Sequence, residues 1–512
     1  MKKQKTGLKN VKTTLEKFVK ENKFLVRPFL ILSIIYMVGI LAIILAGVHY
    51  ADDVARTNYG YAGWSGFSRY LSTFLSHGLH AGGYLSNIAP LPQIIAVMIL
   101  AVAGVLMVVA ISGKEIFKEK WTKWILRLIA VVPLALSPYM LECLSYQYDA
   151  PYMAISVLVV VVPLLFWKSK RWVYVVVSGL GILVACMTYQ AAIQIYPMLV
   201  ILMAMREWNE KKQGKELAKF VGWSVLAFVA SVVVFEKVLM IPRDAYASNS
   251  LPEMGNFVGE FMQHLGQYFG LVISDFRMLW LVILGMMAAV FVVVFAMRSR
   301  RNKVLASMVG AVGLFVMVVM CFVMYAALDK PLYATRAMYP FGALIAMVGV
   351  YIVSFVSEGW KKVVAAAPVV VLAWCFVTFG FTYGNILKEQ NEYRNNVVNM
   401  VIADLNKLVV TNKLGGAVQT SGNVGMTPVL LNMPDDGKIL YRLMAPSFSE
   451  FVPWMAYRLS YQSGLGIYYM PDVDLMSEDL PLIKNTVLYD IYGDERGILV
   501  KFEGDKGPEV VF

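Results

Sequence analysis

Runs of about twenty apolar residues recur along this chain, and they limit its folding more than any other feature. The first, "FLILSIIYMVGILAIILAGV", occupies residues 29–48. A helix rises about 1.5 Å per residue and satisfies its own backbone, so a run of this length spans the roughly 30 Å core of a bilayer. Ten more runs follow, at 91–111, 123–139, 151–167, 172–188, 190–205, 220–240, 278–297, 304–327, 338–356 and 363–383. Only 16% of the residues are charged and 59% are hydrophobic, too little charge for a soluble chain of 512 residues. The pattern predicts an all-α polytopic membrane protein with about 11 transmembrane helices.

Residues 172–205 would make one helix of roughly 50 Å, too long for the core. Both flanks, "KSKR" and "REWNEKKQGKELAK", are basic. A hairpin turning at Thr188-Tyr189-Gln190 puts both flanks on one side. With that turn, the pieces 1–28, 113–124, 168–171, 206–219, 298–303 and 357–362 hold 27 Lys and Arg between them. The pieces 49–90, 138–150, 188–190, 241–277 and 328–337 hold 6. The positive-inside rule then predicts a cytoplasmic N-terminus and an extracytoplasmic C-terminus. The inner loops beyond the N-terminal arm are too short to hold a nucleotide-binding domain. The chain's net charge of +12 therefore belongs to membrane topology, and no Walker loop, zinc ribbon or RNA-binding signature points to nucleic acid. The four cysteines form no C-x-x-C pair, so neither a disulfide framework nor a thiolate metal site is expected.

Three parts are expected: a basic cytoplasmic arm (1–28), a transmembrane domain (29–384) and a small extracytoplasmic α/β domain (385–512). In the last, 386–410 reads as a helix, and "GKILYRLM", "NTVLYDIYG" and "GILVKFE" read as strands. No internal repeat stands out, which argues against a transporter built from repeats.

The longest well-defined outer loop, 49–90, opens with "HYADDVARTNYGYAGWSGFSR". Phe67, Tyr70, Leu71, Phe74, Leu75 and Leu79 recur at helical spacing, with Ser72, Ser76 and His77 off that face. This predicts an amphipathic helix lying in the membrane interface. Asp52 and Asp53 stand at the end of the first span. Acids at a helix C-terminus oppose its dipole, so stability does not explain the pair.

Asp52-Asp53, Arg56, Gly60, Trp64 and Arg69 resemble the opening signature of the type II serotype-conversion glucosyltransferases, bacterial multi-span enzymes that glucosylate surface polysaccharide. "SPYMLECLSYQYDAPYMAIS", with Pro138, Glu142, Leu144, Ser145, Tyr146 and Asp149, and the hairpin "TYQAAIQIY" are similar to later segments of that family. The resemblance covers roughly the first two hundred residues. It implies a membrane-embedded GT-C enzyme of the bacterial plasma membrane. The donor would be a polyprenyl-phosphate sugar, undecaprenyl-phosphate-glucose foremost, and the acceptor an O-antigen or other surface polysaccharide. A donor synthase and a flippase would be partners.

The residues suit that chemistry. A phosphate is already a good leaving group, so one carboxylate base suffices for a single inverting displacement. Adjacent helical residues point about 100° apart, so Asp52 is read as the base and Asp53 as its orienter. Arg56, Arg69, Lys330 and Arg336 are the outer cations able to grip the donor phosphate. Tyr59, Trp64, Tyr146 and Asp149 are candidates for sugar or acceptor contacts. Asp149 and Glu142 could carry a divalent metal, and "HGLH" (His77, His80) could join Asp52 or Asp53 in one, but no full ligand set is visible. A flippase or transporter of lipid-linked glycans, and a polysaccharide polymerase, are the competing readings. Transport is disfavoured because mid-span charges are scarce.

Overall fold

The computed structural model describes residues 22–210, 214–241, 250–433, 438–444, 454–470, 472–476 and 479–504. The arm before residue 22 and the outer-loop Arg243 lie outside them. The helices are α1 (Val26–Ala46), α2 (Asp53–Tyr59), α3 (Tyr70–Leu79), α4 (Leu91–Ser112), α5 (Trp121–Ala130), α6 (Val132–Leu136), α7 (Pro138–Ser145), α8 (Ala150–Val161), α9 (Arg171–Thr188) and α10 (Ile195–Asn209). They continue as α11 (Gly214–Val234), α12 (Phe257–Asp275), α13 (Met278–Arg298), α14 (Lys303–Met320), α15 (Val323–Ala326), α16 (Pro340–Phe355), α17 (Trp360–Thr411), α18 (Pro428–Leu431), α19 (Ile439–Met444) and α20 (Trp454–Ser463).

Among the described residues, seven helices are long and apolar enough to cross a membrane: α1, α4, α9, α11, α13, α14 and α17. The stretch from α5 to α7 makes an eighth only if its 59° bend is counted within one span. The remaining apolar runs form helices that are shorter than a full crossing, such as α8 and α16. Proline explains the shortfall. Pro138 opens α7, Pro151 opens α8, a 3₁₀ turn containing Pro163 ends it, and Pro340 opens α16. In a helix's first turn a proline's missing N–H has no helical partner to lose, so these rings mark where helices begin. Within the outer loop expected at 241–277, the structure has the 19-residue helix α12.

The loops meet at two opposite ends of the bundle. At one end Ser112 bonds Ser354, Arg127 bonds Ser354, Arg206 bonds the carbonyl of Ile111, and Lys123 pairs with Glu358. At the other, Arg56 reaches Asp149, Ser72 reaches Thr188, and Arg336 reaches Glu142. Of the segments expected inside, 113–124 thus meets 357–362, and of those expected outside, 49–90 meets 138–150 and 188–190, and 138–150 meets 328–337.

Helix α17 has 52 residues, about 78 Å at 1.5 Å per residue, more than twice a membrane core. The boundary expected at 384/385 falls within it. Its first half packs on α1 and its second half carries a small sheet. Strands β1 (Val418–Asn423), β2 (Leu482–Asn485), β3 (Tyr489–Asp494) and β4 (Gly497–Glu503) lie in the order β1-β4-β3-β2, with β1 parallel to β4 and the other pairs antiparallel. Val397, Val398, Val401 and Leu405 of α17 pack against Val418, Ile491, Ile498 and Val500 of the sheet. "NTVLYDIYG" and "GILVKFE" contain the expected strands. "GKILYRLM" does not: it folds as α19, with all six helical residues buried, so its apolar run carried no alternation to mark a strand.

Candidate active site at the mouth of the first span

The first span stops earlier than its apolar run suggests. Gly47, at φ 59°, caps α1 in the left-handed conformation. Ala51 is also left-handed, at φ 45°, a backbone geometry unusual for a residue with a side chain. Asp52 then stands just before a new helix without a side-chain capping bond, and Asp53 lies in its first turn. The two acids therefore sit at the N-terminus of α2, not at the C-terminus of α1, and the helix dipole favours them.

The two carboxylates have different surroundings. Asp53 is fully buried. Its Oδ2 accepts from the backbone N–H of Tyr50 at 3.1 Å and of Gln147 at 2.8 Å, tying the first outer loop to the second. Its Oδ1 has no partner among the described residues. Burial raises the Asp53 carboxyl well above the usual range, against the Gln147 N–H that favours its charged form. Asp52 is 40% exposed, and its Oδ2 takes one contact from Arg56 Nη2 at 3.3 Å.

Arg56 is the hub. Its Nη1 donates to Asp149 Oδ2 at 2.6 Å, and its side chain is only 4% exposed. Its guanidinium lies 4.5 Å from the centroid of the Trp64 ring. Burial alone would lower its proton affinity, but Asp149, Asp52 and Asp53 outweigh that and raise it. Asp149 is raised by burial, against the charge of Arg56, and its Oδ1 accepts from the indole N–H of Trp64. Trp64 is 2% exposed, with Arg56 on its face and Tyr152 edge-on at 5.2 Å. In this arrangement Trp64 holds Asp149 and Arg56, and its ring is closed to a sugar.

Two more cations flank this cluster. Arg69 Nε donates to Gln190 Oε1 at 3.0 Å, and its guanidinium lies 4.5 Å from the Tyr189 ring centroid. Gln190 in turn donates to the carbonyl of Phe67, so the short hairpin clamps the end of the first loop. Arg336 Nη1 meets Glu142 Oε1 at 3.1 Å, while Thr335 donates to Glu142 Oε2. Tyr189 lies within electrostatic reach of both Arg69 and Arg336, and Asp149 within reach of Arg69. Tyr146 is buried, edge-on to Tyr50 at 4.9 Å, and feels Arg336, Glu142, Asp52 and Asp149. The fold thus gathers Asp52, Asp53, Arg56, Trp64, Arg69, Tyr146, Asp149 and Arg336 at one end of the bundle. Tyr59 is 43% exposed on the far end of α2, edge-on to Tyr457 at 5.6 Å. Lys330 is exposed on a separate turn and joins none of these contacts.

Sequence reasoning passed over Gln147, Tyr189 and Gln190 as site residues. Gln147 enters through its backbone N–H, which no sequence pattern shows. Gln190 was visible only as a polar residue at the apex of an apolar hairpin. No group of three His, Cys, Asp or Glu side chains among the described residues is placed to hold a metal ion.

Helix α3 inverts the burial expected in a soluble protein. Ser72 and Ser76 face the protein, while Phe74 is 72% exposed. That outward apolar face is the one the spacing assigned to the membrane interface.

The family model described as "Glucosyl transferase GtrII" matches residues 41–347, which include all of this cluster. A curated protein of Salmonella phage P22, described as "Uncharacterized 55.3 kDa protein in gtrB 5'region", is 24% identical over 219 residues. That match covers 43% of this chain and 43% of the phage protein's length. No solved structure matches the chain. With more than half of its length matched to the family model and its buried Arg56–Asp149 pair inside the match, the chain belongs to the GtrII glucosyl transferase family.

Proposed function

We propose that this protein is an integral-membrane glucosyltransferase that moves glucose from a polyprenyl-phosphate donor to a cell-surface polysaccharide on the extracytoplasmic side. One observation carries the reading: a half-exposed carboxylate, Asp52, rests against a buried guanidinium at the bundle end where the two other loop cations gather. Asp52 takes the proton from an acceptor hydroxyl. The freed oxygen attacks the anomeric carbon as its bond to the phosphate oxygen breaks, and the phosphate departs on its lipid. Attack opposite the leaving group inverts the anomeric centre. Arg56, Arg69 and Arg336 are the cations for the phosphate, and Arg56 also holds the Asp52 carboxylate in place. Asp53 positions Asp52 by fixing the backbone between Tyr50 and Gln147.

The charge distribution of the loops supports placing this end outside. Nucleotide sugars are scarce there, and a lipid-borne sugar arrives at the height of these residues. This assignment is tested with purified protein in nanodiscs, polyprenyl-phosphate-glucose and a surface glycan. Asp52→Asn is expected to lower turnover at least 10²-fold, the scale of lost general-base catalysis, with an unchanged unfolding midpoint. Asp53→Asn is expected to lower the midpoint as well, because it puts an N–H₂ where a buried acceptor stood. Full turnover by Asp52→Asn would remove the mechanism.

A further inference from the structure

A groove of about 540 Å³ lies between α13 and α17, at the end of the bundle where Ser354 bonds Ser112 and Arg127. Val290, Val293, Val294 and Met297 stand at i, i+3, i+4 and i+7, so one stripe of α13 makes its first wall. Lys361, Val364 and Ala365 stand at i, i+3 and i+4 on α17 and make the second. The two walls change character in step. Helix α13 travels about 12 Å from Val290 to its last residue, Arg298, at 1.5 Å per residue. Helix α17 starts with Trp360 and Lys361 and is apolar by Val364. Arg298, Lys361 and Ser357 thus gather at one end of the groove, and valines line the rest.

The polar end carries positive charge. Arg298 and Lys361 are exposed. Glu358, the acid nearest to Lys361 in the chain, pairs instead with Lys362 at 3.0 Å and Lys123 at 3.7 Å. Helix α17 also begins here, so the positive end of its dipole lies at the same rim. Cations at this end follow from the loop charge bias alone. That bias calls neither for a cavity between two of them nor for an apolar channel leading away from it. Trp360, 72% exposed at the start of α17, stands where a ring at the membrane interface would.

An occupant must match both parts of the groove. A soluble phosphate would leave the valines uncovered, and a neutral lipid would leave the two cations unanswered. A phospholipid of net negative charge answers both: its phosphate oxygens suit guanidinium and ammonium groups, and its acyl chain suits the apolar walls. We propose that this groove binds an anionic phospholipid, with its phosphate between Arg298 and Lys361 and one acyl chain along α13 and α17. Bound there, the lipid bridges the two helices. The site lies away from Asp52 and does not depend on the role given to it, and its test reads binding rather than turnover.

The test uses the full chain in detergent with equal amounts of phosphatidylglycerol and phosphatidylcholine of matched acyl chains. Native mass spectrometry counts the lipids that stay bound. The wild type should retain phosphatidylglycerol in preference. The double variant Arg298→Gln, Lys361→Gln should lose that preference by about thirtyfold, roughly fivefold for each cation near a headgroup. If the double variant does not fold, each single variant is measured against its own fivefold. Lys120→Gln removes an exposed charge at the same end, outside the groove, and should keep the preference. Ala289→Trp keeps both cations and fills the apolar part, and should lower phosphatidylglycerol occupancy as well. Equal retention of the two lipids by the wild type would make the groove an ordinary contact with the bilayer and overturn the proposal. So would a preference that survives in the double variant, one lost equally in Lys120→Gln, or full occupancy in Ala289→Trp.

Discussion

Single residues decide how this end of the molecule responds to acid. His49 is partly buried beside two guanidiniums, so its imidazole binds a proton less readily in the fold than in the unfolded chain. Burial is the largest cause, Arg458 the next. The unfolded state therefore takes up the proton first as pH falls through about 6.5, and stability drops in that window. Above it the group is neutral in both states and contributes no pH dependence. His49→Gln keeps a polar side chain beside Gln147 without a titrating ring. The variant is expected to lose less of its unfolding midpoint between pH 7.5 and pH 5.5 than the wild type. Equal losses in both would mean that another group sets the acid response. The buried Asp53 acts in the opposite sense, because its raised carboxyl holds a proton more tightly in the fold. Its stabilising effect is full below the ordinary carboxyl range near 4 and fades as pH rises above it, and because Asp53 stays in both proteins, comparing the wild type with His49→Gln isolates the imidazole.

At the scale of elements, the first span and the last long helix touch through glycine. A Cβ at Gly384 would lie 2.5 Å from the backbone of Ala42 and Ile43, and one at Gly380 would lie 2.2 Å from the carbonyl oxygen of Gly39. Both neighbours are main chain, so neither can rotate away. "GFTYG" from residue 380 is the small-x-x-x-small spacing that lets two membrane helices approach closely. Gly384→Ala is expected to cost on the order of 1–3 kcal/mol or more, the range for overpacking, and to lower the unfolding midpoint. Gly285→Ala, on α13 with open space around it, is the matched control and should be neutral. If both variants unfold at the wild-type temperature, the close approach is absent. The sequence announced each apolar helix but not its length, since hydropathy reports composition while Pro138, Pro151, Pro163 and Pro340 set where the ladder breaks. It also announced Asp52, Arg56 and Asp149 separately. Their meeting depends on α7 and α8 folding back toward the first loop, and that is a property of packing which no local pattern records. The α19 segment was misread because burial on all sides erases the period that separates strand from helix.

For the whole molecule, the question is what holds the C-terminal part against the bundle and which way the assembly faces. Arg442 of α19 is buried, bonded to the buried Asp275 and to the carbonyl of Tyr333. Tyr139 donates to the same Asp275 oxygen at 2.8 Å, and Tyr50 reaches the carbonyl of Leu443 at 2.7 Å. Three distant segments therefore bond this short helix, and a fourth, through Tyr139, bonds its partner Asp275. Arg442→Gln would leave Asp275 buried and uncompensated, which costs about 3–5 kcal/mol. Its unfolding midpoint should fall by several degrees, and protease should release the C-terminal part sooner. An unchanged midpoint would show that α19 is held by apolar contacts alone. The orientation proposed rests on charge: the segments expected inside hold 27 Lys and Arg and those expected outside hold 6. The test is a pair of single-cysteine variants in a background from which Cys143, Cys186, Cys321 and Cys375 have been removed. Lys330→Cys sits at the Asp52 end and Lys120→Cys at the opposite end, and both positions are exposed. In intact cells a membrane-impermeant maleimide should label position 330 and spare position 120 until the membrane is broken. The reverse pattern would put Asp52 in the cytosol, out of reach of a lipid-borne sugar presented outside. It would leave the family membership standing while ending the proposed route of the donor.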